Sequence, residues 1–331
     1  MSGAGIPAQS LPLAARAPGK CILFGEHAIV HGRPALLLAI DLFTQVGLRE
    51  AASLRLNGSA EEAAAHPYLR TAVARLRAPG APPLEVTVSS RLPKAAGLGS
   101  SAAFSSALAA GLLASGGGAS RDRLALEAFA IERGAQGVGS PGDTTASVAG
   151  GYVAVNGGDG RPLWELSDGD RRWAVRRVRD PGWVWLLAYS RVPRDTATTV
   201  RAVTERLARP DGPELLARFG DVATRGIAAV AREDRAEVAA LLGENQVLLR
   251  EVGVSHPRLE ALIEAIAPVV EGAKLTGAGA GGSIVALPRP GSEVDAARRI
   301  ARAGGIAYVV RAAPVGAALI GAAPTAAGAG D

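Results

Sequence analysis

The stretch Pro93–Leu113, PKAAGLGSSAAFSSALAAGLL, places the tightest constraint on the fold of this chain. An apolar run at Leu84–Val88 predicts a strand, which leads through a loop with Gly97 and Gly99 into an alanine-rich helix predicted over Ser101–Ala114. Glycines let the backbone approach a ligand closely, and the free N–H groups at a helix start bind phosphate oxygens. The segment therefore predicts a phosphate-binding loop, although a serine here is also an ordinary helix cap.

Composition excludes several classes of protein. The 331 residues suggest two domains, at roughly 100 to 200 residues per domain. A hydrophobic share of 48% excludes a mainly disordered chain, and the 42 glycines show no three-residue period, which excludes collagen. Because Cys21 is the only cysteine, the chain forms neither an intramolecular disulfide nor a cysteine-based zinc site.

Hydrophobic periodicity predicts an α+β fold in two parts. Strands are predicted at Cys21–Phe24, Ala35–Ile40, Thr44–Leu48, Leu54–Leu56, Leu84–Val88, Tyr152–Val155, Leu163–Leu166, Trp183–Tyr189, Gly272–Leu275, Ser283–Leu287 and Ala307–Arg311. Helices are predicted at Glu61–Arg77, Ser101–Ala114, Arg121–Arg133 and Glu293–Ala303, with mostly helical chain from Thr196 through Ala267. The change in pattern near Pro181 divides the chain into domains 1–181 and 182–320, followed by a predicted disordered tail, 321–331.

A second glycine-containing segment, Ala17–Asp41, carries polar residues inside a run of strand-forming apolar ones. Lys20, Glu26 and His27 are costly to bury unless they are paired or take part in function. For Lys20 alone, a solvated surface position is the simpler interpretation. His27 and His31 lie four positions apart, but the order is not HExxH and the stretch is extended, which argues against zinc.

The third segment, Lys274–Pro288, contains Gly277, Gly279 and Gly282 in the pattern GxGxxG. A dinucleotide-binding fingerprint must open a helix, whereas the residues that follow, Ser283–Leu287, predict a strand. The segment taken alone is typical of a glycine-rich hairpin linker. The chain also lacks GxxxxGK[ST] and GxSxG, so its motifs do not indicate a P-loop enzyme or an α/β-hydrolase.

Two carboxylates, Glu132 and Asp143, lie eleven positions apart in a glycine-rich stretch of Ile131–Val155. Asp143 fits the N-cap of a short helix and Glu132 fits a helix end, which are ordinary structural roles. The chemical alternative is that one carboxylate holds Mg²⁺ and the other accepts a proton or orients an alcohol. The residues alone leave both interpretations open.

The net charge of +5 and the sequence pI of about 9.8 raise the question of a nucleic-acid partner. The densest basic stretch, Arg171–Arg179, contains Trp173 and is followed by Trp183 and Trp185, a mixture also found in single-strand binding platforms. Strand-like alternation favours two strands with one solvated face instead. We therefore expect no nucleic-acid partner.

The amino terminus lacks a charged start followed by a continuous apolar segment, so it does not predict a secretory signal. No run reaches the roughly 18 apolar residues of a membrane span. The nearest run, Ala35–Ile40, has the length of a strand. The expectation is a cytoplasmic protein without a membrane partner.

The order and spelling of these segments resemble the GHMP kinase superfamily, named for galactose, homoserine, mevalonate and phosphomevalonate. All three signature motifs of that superfamily are present in the right order over residues 17–288. Within it, the spelling is most similar to the mevalonate kinases. The opening motif APGKCILFGEHAIVHGRPAL, the segment RVPRDTATTV at Arg191–Val200 and the segment SHPRLEALI at Ser255–Ile263 carry this resemblance.

The resemblance implies roles for particular residues. Asp143 would be the catalytic base beside the 5-hydroxyl of mevalonate, and Lys20 would stabilise the alkoxide and keep Asp143 ionised. Glu26, His27 and Thr196 would join Lys20 and Asp143 in the substrate site, while Ser101 and Glu132 would hold Mg²⁺. The residues implied to bind ATP are Lys94, Ala96, Gly97, Leu98, Gly99, Ser100 and Ser101, with Gly277 and Gly279 supporting the phosphate loop from the second domain.

The same resemblance implies a fold and an activity. The fold would be an N-terminal mixed sheet with helices, followed by a C-terminal ferredoxin-like α/β domain with extra helices. The activity would be Mg²⁺-dependent transfer of phosphate from the co-substrate ATP to mevalonate, in isoprenoid biosynthesis. The partners would be these two small anionic molecules, which also give the basic balance of the chain a use. The resemblance leaves a homodimer open.

The sequence departs from the motifs of many relatives at two places. Ser140–Thr144 reads SPGDT where many relatives read PSGxD, a spelling nearer the archaeal-type enzymes, and Ala280 and Ser283 stand where many have Gly and Cys. Neither removes a proposed catalytic group.

The alternative functions are another GHMP kinase acting on a related hydroxy acid or phosphomevalonate, the decarboxylase branch, and a non-catalytic nucleotide-binding regulator on this fold. The decarboxylase branch lacks the Gly19, Lys20 and GEHA spelling.

Overall fold

Two β-sheets organise residues 5–137, 139–193 and 196–321, which are the part of the chain described by this computed structural model. The strands are β1 (Leu13–Phe24), β2 (Ala35–Glu50), β3 (Arg55–Leu56), β4 (Leu84–Ser90), β5 (Tyr152–Val155), β6 (Trp164–Asp168), β7 (Arg171–Val178), β8 (Trp185–Tyr189), β9 (Val270–Thr276), β10 (Ser283–Pro288), β11 (Ile306–Val310) and β12 (Ala318–Ile320). The helices are α1 (Ala60–Ala65), α2 (Pro67–Leu76), α3 (Ser100–Ser115), α4 (Arg121–Gln136), α5 (Gly142–Ala149), α6 (Thr196–Leu207), α7 (Gly212–Ala231), α8 (Arg235–Glu251), α9 (Pro257–Ile266) and α10 (Glu293–Arg302). Short 3₁₀ helices lie at Ala28–His31 and Ala267–Val269. The predicted disordered tail lies outside the described residues, apart from Gly321.

The first sheet has the strand order β12-β1-β2-β5-β7-β6, with β4 pairing β2 and β3 pairing β4. All of its pairings are antiparallel except β3 with β4, so the sheet is mixed as predicted. β12, which the sequence pattern did not predict, pairs with β1 at its edge. Helix α3 packs on β1 and β2, and its residues Ala102–Ala114 are all buried.

The second sheet is antiparallel with the order β11-β8-β10-β9. Helices α6 to α9 connect β8 to β9, and α10 connects β10 to β11. Numbered within this half, the strand order is 4-1-3-2 with a β-α-β-β-α-β sequence of elements, which is the ferredoxin-like arrangement. The predicted two-part α+β fold is confirmed.

Several predicted boundaries are wrong: the first strand begins at Leu13 and not at Cys21, and two further errors have identifiable reasons. The helix predicted at Glu61–Arg77 is two helices, because Pro67 cannot donate an N–H and disfavours helical geometry at His66, whose side chain caps the second helix. The strands predicted on either side of Asp41 are one strand. Asp41 accepts a hydrogen bond from the backbone N–H of Arg311 at 3.1 Å, which satisfies the carboxylate without breaking β2.

Two of the three tryptophans in and after the basic stretch Arg171–Arg179 are buried. Trp173 and Trp185 are 1% and 0% exposed, so neither ring is available to a base. Their strands lie in different sheets, and β8 is buried on both faces, which corrects the expectation of two half-solvated strands. The guanidinium of Arg177 donates hydrogen bonds to the backbone oxygens of Gly150 and Ala149, at 3.1 and 2.9 Å.

No helix in the described ranges is long and apolar enough to span a bilayer.

A buried ion pair joins the two sheets. Lys274 on β9 and Glu26, just after β1, are both 0% exposed and form a salt bridge. Lys274 Nζ also donates to the backbone oxygen of Leu275 at 2.7 Å, and Asn245 lies 3.4 Å from the other oxygen of Glu26. Beside them, Thr276 Oγ1 donates to the backbone oxygen of Ile22 at 2.9 Å. These polar contacts fix β9 against β1.

We predict that Lys274→Met strongly destabilises the protein, because it leaves the carboxylate of Glu26 buried without a cation. Removing one partner of a buried pair typically costs about 3 to 5 kcal/mol, whereas replacing both by apolar residues is often close to neutral. The double variant Glu26→Leu/Lys274→Met should therefore be more stable than Lys274→Met alone. Urea denaturation followed by circular dichroism tests both expectations. A double variant no more stable than the single one would contradict this account.

Candidate active site

A cleft opens where β1, α4, α5 and the glycine turn after β9 meet. It is lined by Lys20, Ile22, His27, Val30, Phe129, Glu132, Arg133, Gln136, Gly139, Ser140, Asp143, Val200, Gly277 and Ala278. The structure thus brings together residues of four sequence segments that are up to 258 positions apart, and the polar ones come from residues 20–27 and 132–143.

Lys20 and Asp143 meet in this cleft. The ammonium of Lys20 lies 3.0 Å from Asp143 Oδ2 and donates to the backbone oxygen of Gly97 at 3.2 Å. Lys20 is 1% exposed, whereas the side chain of Asp143 is 31% exposed and faces the opening. Lys20 is therefore a buried cation, not the solvated surface lysine that is the simpler interpretation of its sequence alone. The pair presents one carboxylate to a ligand and places a buried ammonium directly behind it.

Asp143 is the second residue of α5, whose N-cap is Pro141, so it is not the N-cap that the sequence allowed. Negative charge in the first turn of a helix is favoured by the helix dipole. The short helix therefore supports a carboxylate at this position while leaving its oxygens free to face Lys20 and the cleft.

The predicted phosphate loop packs directly on Lys20. Gly99 has a φ of +76°, and a Cβ at this position would lie 2.8 Å from Lys20 Cγ, so glycine is needed both for the backbone turn and for the contact. The backbone N–H of Lys20 also donates to the oxygen of Leu98 at 2.9 Å. The loop is thus fixed beside the cation by backbone geometry.

Helix α3 begins without a side-chain cap, because its N-cap is Gly99 and not a serine. Ser100 and Ser101 are the first two helical residues, so the N–H groups of the first turn receive no side-chain oxygen. Such a terminus is a ready anion site when a loop leads into it. Lys94 lies exposed at the start of the loop, while Ala96 and Leu98 are buried and can offer a ligand only their backbone.

Ser283 connects this loop to the second sheet. Its hydroxyl donates to the backbone oxygen of Ala96 at 2.8 Å, and both residues are buried. The sequence showed only that serine stands here in place of the cysteine of many relatives. The structure gives that serine a structural role, because it holds the strand β10 against the phosphate loop.

Glu132 is the second carboxylate of the cleft, and it is 8% exposed. Ser101 Oγ donates to its Oε1 at 2.9 Å, and Gln136 Nε2 donates to the same oxygen at 3.2 Å. Burial and the nearby negative charge of Asp143 raise the pKa of Glu132 to about 7, against the lowering effect of these hydrogen bonds and of Lys20. The pKa of Glu132 thus lies near neutral pH, well above that of an ordinary glutamate.

The remaining predicted site residues lie at different depths. His27 lines the cleft, and its Nε2 lies 3.0 Å from the backbone oxygen of Ala278. Glu26 does not reach the cleft, because its carboxylate is buried against Lys274. Gly277 lines the cleft, but Gly279 instead packs its backbone on Val254, where a Cβ would lie 2.4 Å from an oxygen. The side chain of Thr196 lies outside the described part of the structure.

Sequence reasoning missed several residues of the cleft, notably Phe129, Arg133, Gln136 and Ser140. A signal for two of them was available. Phe129 and Gln136 stand three positions before and four positions after Glu132 on α4, so a functional Glu132 predicts them as neighbours on the same helix face. Among the residues that the structure describes, no group of three His, Cys, Asp or Glu side chains is arranged to hold a metal ion by itself.

Comparison with known proteins agrees with this geometry. Residues 67–151 match the family description "GHMP kinases N terminal domain", and residues 227–307 match "GHMP kinases C terminal". The mevalonate kinase of Archaeoglobus fulgidus is 32% identical over 82% of this chain and 91% of that protein, and the mevalonate kinase of Arabidopsis thaliana is 30% identical over 85% and 92%. The crystal structure of the Methanococcus jannaschii mevalonate kinase superposes with a TM-score of 0.73 over 91% of this chain and 98% of that one, at 21% identity.

We predict that Glu132→Gln stabilises the protein more at pH 8 than at pH 5. The pKa of Glu132 is raised in the folded state from 4.5 to about 7, so its contribution to stability is lost as the pH rises through that window. The loss amounts to up to roughly 3 kcal/mol for a shift of this size. The glutamine variant carries no such titration.

Thermal or urea unfolding of both proteins at the two pH values measures the difference. Glu127→Gln, on the same helix and paired with Arg75 at its surface, controls for the loss of a carboxylate. A stability difference between wild type and Glu132→Gln that does not change with pH would contradict the assignment.

Proposed function

The chain belongs to the GHMP kinases, and from that membership we propose that it phosphorylates the 5-hydroxyl of mevalonate with Mg·ATP. Relatives at 30% to 32% identity over more than four fifths of the chain, all named mevalonate kinase, support the substrate. The observation that carries the proposal is the pair Lys20–Asp143 at 3.0 Å, beside the uncapped start of α3. An alcohol on Asp143 would face phosphate held by the loop.

In this mechanism, Asp143 accepts the proton of the hydroxyl as the oxygen attacks the γ-phosphorus, and the bond from that phosphorus to the β–γ bridging oxygen breaks, so that ADP leaves. General-base assistance of this kind contributes a factor of roughly 10² to 10⁴. Lys20 stabilises the negative charge that develops on the attacking oxygen. Its burial strengthens this effect, because the ammonium is fixed in place by Gly97 and needs no reorganisation during the reaction.

The loop from Ala96 to Ser101 and the first turn of α3 are proposed to hold the phosphates of ATP. Their N–H groups and the helix dipole favour the negative charge. Positioning and electrostatic stabilisation supply most of the catalysis in phosphoryl transfer. Because the loop also packs on Lys20 through Gly99, the phosphate and the acceptor alcohol are positioned by one rigid unit.

The side chains of Ser101 and Glu132 fit Mg²⁺. Both offer oxygen, the ligand that Mg²⁺ prefers, and Mg²⁺ bound to a nucleotide usually takes only one or two protein ligands besides phosphate and water. The hydrogen bond between them at 2.9 Å places the two oxygens together. When bound, the ion neutralises charge on the phosphate oxygens. Glu132 must then give up its proton and Ser101 must turn its hydrogen away from the carboxylate.

Glu26 is proposed to act on the substrate site only indirectly, since it lies behind the cleft beside His27. His27 and Thr196 are retained as proposed substrate contacts. The domain boundary at 181/182, the homodimer, the cytoplasmic location and the lack of nucleic-acid or membrane partners stay predictions from the sequence.

A panel of acceptors tests the substrate. Purified protein with Mg·ATP is assayed against mevalonate, phosphomevalonate, homoserine and galactose. We expect turnover with mevalonate at a kcat/KM far above that of the other three, because only mevalonate presents a primary alcohol and a free carboxylate without an ammonium group. Turnover with one of the others alone would replace the proposed substrate, and binding of ATP with no turnover of any would favour a regulator.

Two variants test the mechanism. Asp143→Asn and Lys20→Met should each lower kcat by roughly two to four orders of magnitude, since one removes the base and the other the cation beside it. Both should still bind ATP, because the proposed phosphate contacts are backbone N–H groups of the loop and of α3, which neither substitution removes. Asp295→Asn, which breaks a surface pair with Arg299 on α10, serves as the control. Wild-type kcat in either site variant would remove that residue from the mechanism.

A further inference from the structure

The segment Ser255–Ile263, SHPRLEALI, carries part of the sequence resemblance and has no role in the proposed mechanism. All of its residues are described, and they lie outside the lining of the cleft. The backbone oxygen of Val254, just before the segment, accepts from the N–H of Ala280 at 2.7 Å, and a Cβ at Gly279 would lie 2.4 Å from the same oxygen. The segment therefore begins against the glycine turn after β9, whose first two residues line the cleft.

Gln246 on α8 connects this segment to β9. Its side chain is buried, and its Nε2 donates to Glu260 Oε1 at 2.9 Å and to Ser255 Oγ at 3.2 Å. Its Oε1 accepts from the backbone N–H of Leu275 at 2.8 Å. Hydrogen bonds, first of all that from Arg250, lower the pKa of Glu260 to about 2, so Glu260 is a carboxylate at neutral pH. Because a carboxylate only accepts and a backbone N–H only donates, these partners allow one orientation of the amide.

The contact with Leu275 fixes the end of β9. This strand is at the edge of the second sheet, so the backbone groups on its outer side need partners other than a strand. For Leu275, Gln246 accepts the N–H, and the ammonium of Lys274 donates to the oxygen at 2.7 Å. Losing Gln246 would leave a buried N–H without this partner two positions before Gly277, where the turn begins.

The same turn contacts His27. The imidazole Nε2 lies 3.0 Å from the backbone oxygen of Ala278. Because a carbonyl only accepts, Nε2 must carry the hydrogen of this contact, and Nδ1 is then the acceptor of the neutral ring. The position of the turn thus sets both the direction and the tautomer of the imidazole.

The backbone at His27 depends on such outside contacts. His27 has a φ of +62° and a ψ of −36°, and the N–H of Ala28 donates to the oxygen of Glu26 at 2.6 Å, which is a γ-turn with positive φ. This conformation is strained for a residue with a side chain and persists only when the surroundings hold it. The buried pair of Glu26 with Lys274, the neighbour of Leu275 in β9, is one contact that does so.

We propose that Gln246 is a positioning residue for the cleft: it holds the end of β9, and so the turn whose Ala278 oxygen orients the imidazole of His27. This proposal rests on the proposed function, in which His27 contacts the substrate. Glu260 keeps the amide of Gln246 in the required orientation, which gives the segment SHPRLEALI a role. Gln246 does not line the cleft, so its effect on the reaction passes through His27.

A double-mutant cycle between Gln246 and His27 tests this route. The kcat and the KM values for mevalonate and ATP are measured for wild type, Gln246→Met, His27→Asn and the double variant. Methionine removes the donor and the acceptor at similar length, and asparagine removes the imidazole while tolerating a positive φ. Val310→Ala, at a buried position of β11 on the opposite edge of the same sheet, controls for a general loss of stability.

We expect Gln246→Met to lower kcat/KM for mevalonate by roughly 3- to 10-fold, the size of one hydrogen bond, chiefly through a higher KM. The KM for ATP should change little, because Ser283 holds the phosphate loop separately. In the His27→Asn background, Gln246→Met should have little further effect, since the group that it orients is gone. Val310→Ala should lower the melting temperature and keep kcat/KM close to that of wild type.

Two further measurements cover a Gln246→Met variant that does not fold and a readout other than activity. Gln246→Glu sets two carboxylates against each other, and the exchange variant Gln246→Glu/Glu260→Gln restores an amide facing a carboxylate, so it should recover the kinetics that Gln246→Glu loses. Nitrogen-15 NMR of histidine-labelled protein reports the tautomer, and His27→Asn identifies the signal of His27 among the four histidines. Wild type should carry the hydrogen on Nε2, and Gln246→Met should show a mixture of tautomers.

The possible failures are distinguishable. Where wild type phosphorylates mevalonate, additive effects of Gln246→Met and His27→Asn, an equal loss in Val310→Ala, no recovery in the exchange variant or an unchanged His27 signal in Gln246→Met would each overturn the positioning role. The proposed function would then stay intact. Failure of wild type to phosphorylate mevalonate would overturn the proposed function itself, and the histidine spectra would still decide whether Gln246 orients His27.

Discussion

The structure is assembled around the buried ammonium of Lys20. A charge at 1% exposure in the middle of a strand is tolerated only when other groups replace its water. Here those groups are the carboxylate of Asp143 and the backbone oxygen of Gly97, which come from a short helix and a loop distant in the sequence. Satisfying this one cation therefore brings together the strand β1, the phosphate loop and α5. The same requirement that stabilises the charge also builds the proposed catalytic pair.

The second sheet fixes this assembly from behind. The pair Glu26–Lys274 joins β1 to β9, and the hydroxyl of Ser283 joins β10 to the phosphate loop. The turn between those strands supplies the backbone oxygen of Ala278 that meets His27. A displacement of one sheet relative to the other would change the distance between the loop and Asp143. This explains why polar residues lie between the sheets. Apolar packing there would fix the relative position of the two sheets less closely than these hydrogen bonds and this ion pair do.

The sequence predicted what depends on local pattern. The strands, the helix after the glycine loop and the glycine requirement at Gly99 follow from spacing and residue type within short windows. The break at His66 was readable too, since Pro67 stands in the middle of the predicted helix. The features that the sequence could not predict depend on contacts with residues far along the chain. Asp41 stays in a strand only because the backbone of residue 311 meets it.

The candidate active site shows the same division between features set by local sequence pattern and features set by distant contacts. Lys20, Glu132 and Asp143 were singled out by type and motif, but the burial of Glu26 required knowledge of Lys274, which lies 248 positions away. Arg133 has no motif of its own in the sequence. It lines the cleft and donates to Asp168, which lies 35 positions along the chain on β6. Motifs identify groups that act on the reacting atoms more readily than groups whose meaning depends on a neighbour's other contacts.

The charges of the cleft are arranged at a cost to the folded protein. Glu132 and Asp143 repel each other, and burial together with this repulsion raises the pKa of Glu132 to about 7. A divalent cation at Glu132, which the proposed reaction brings, would relieve the repulsion, and phosphate would meet the N–H groups at the uncapped start of α3. Interactions left unsatisfied in the free protein favour binding, because the ligand then replaces an unfavourable contact and not only water. The charges of the cleft are therefore arranged to suit ligands that include a divalent cation and phosphate, which the proposed reaction brings together.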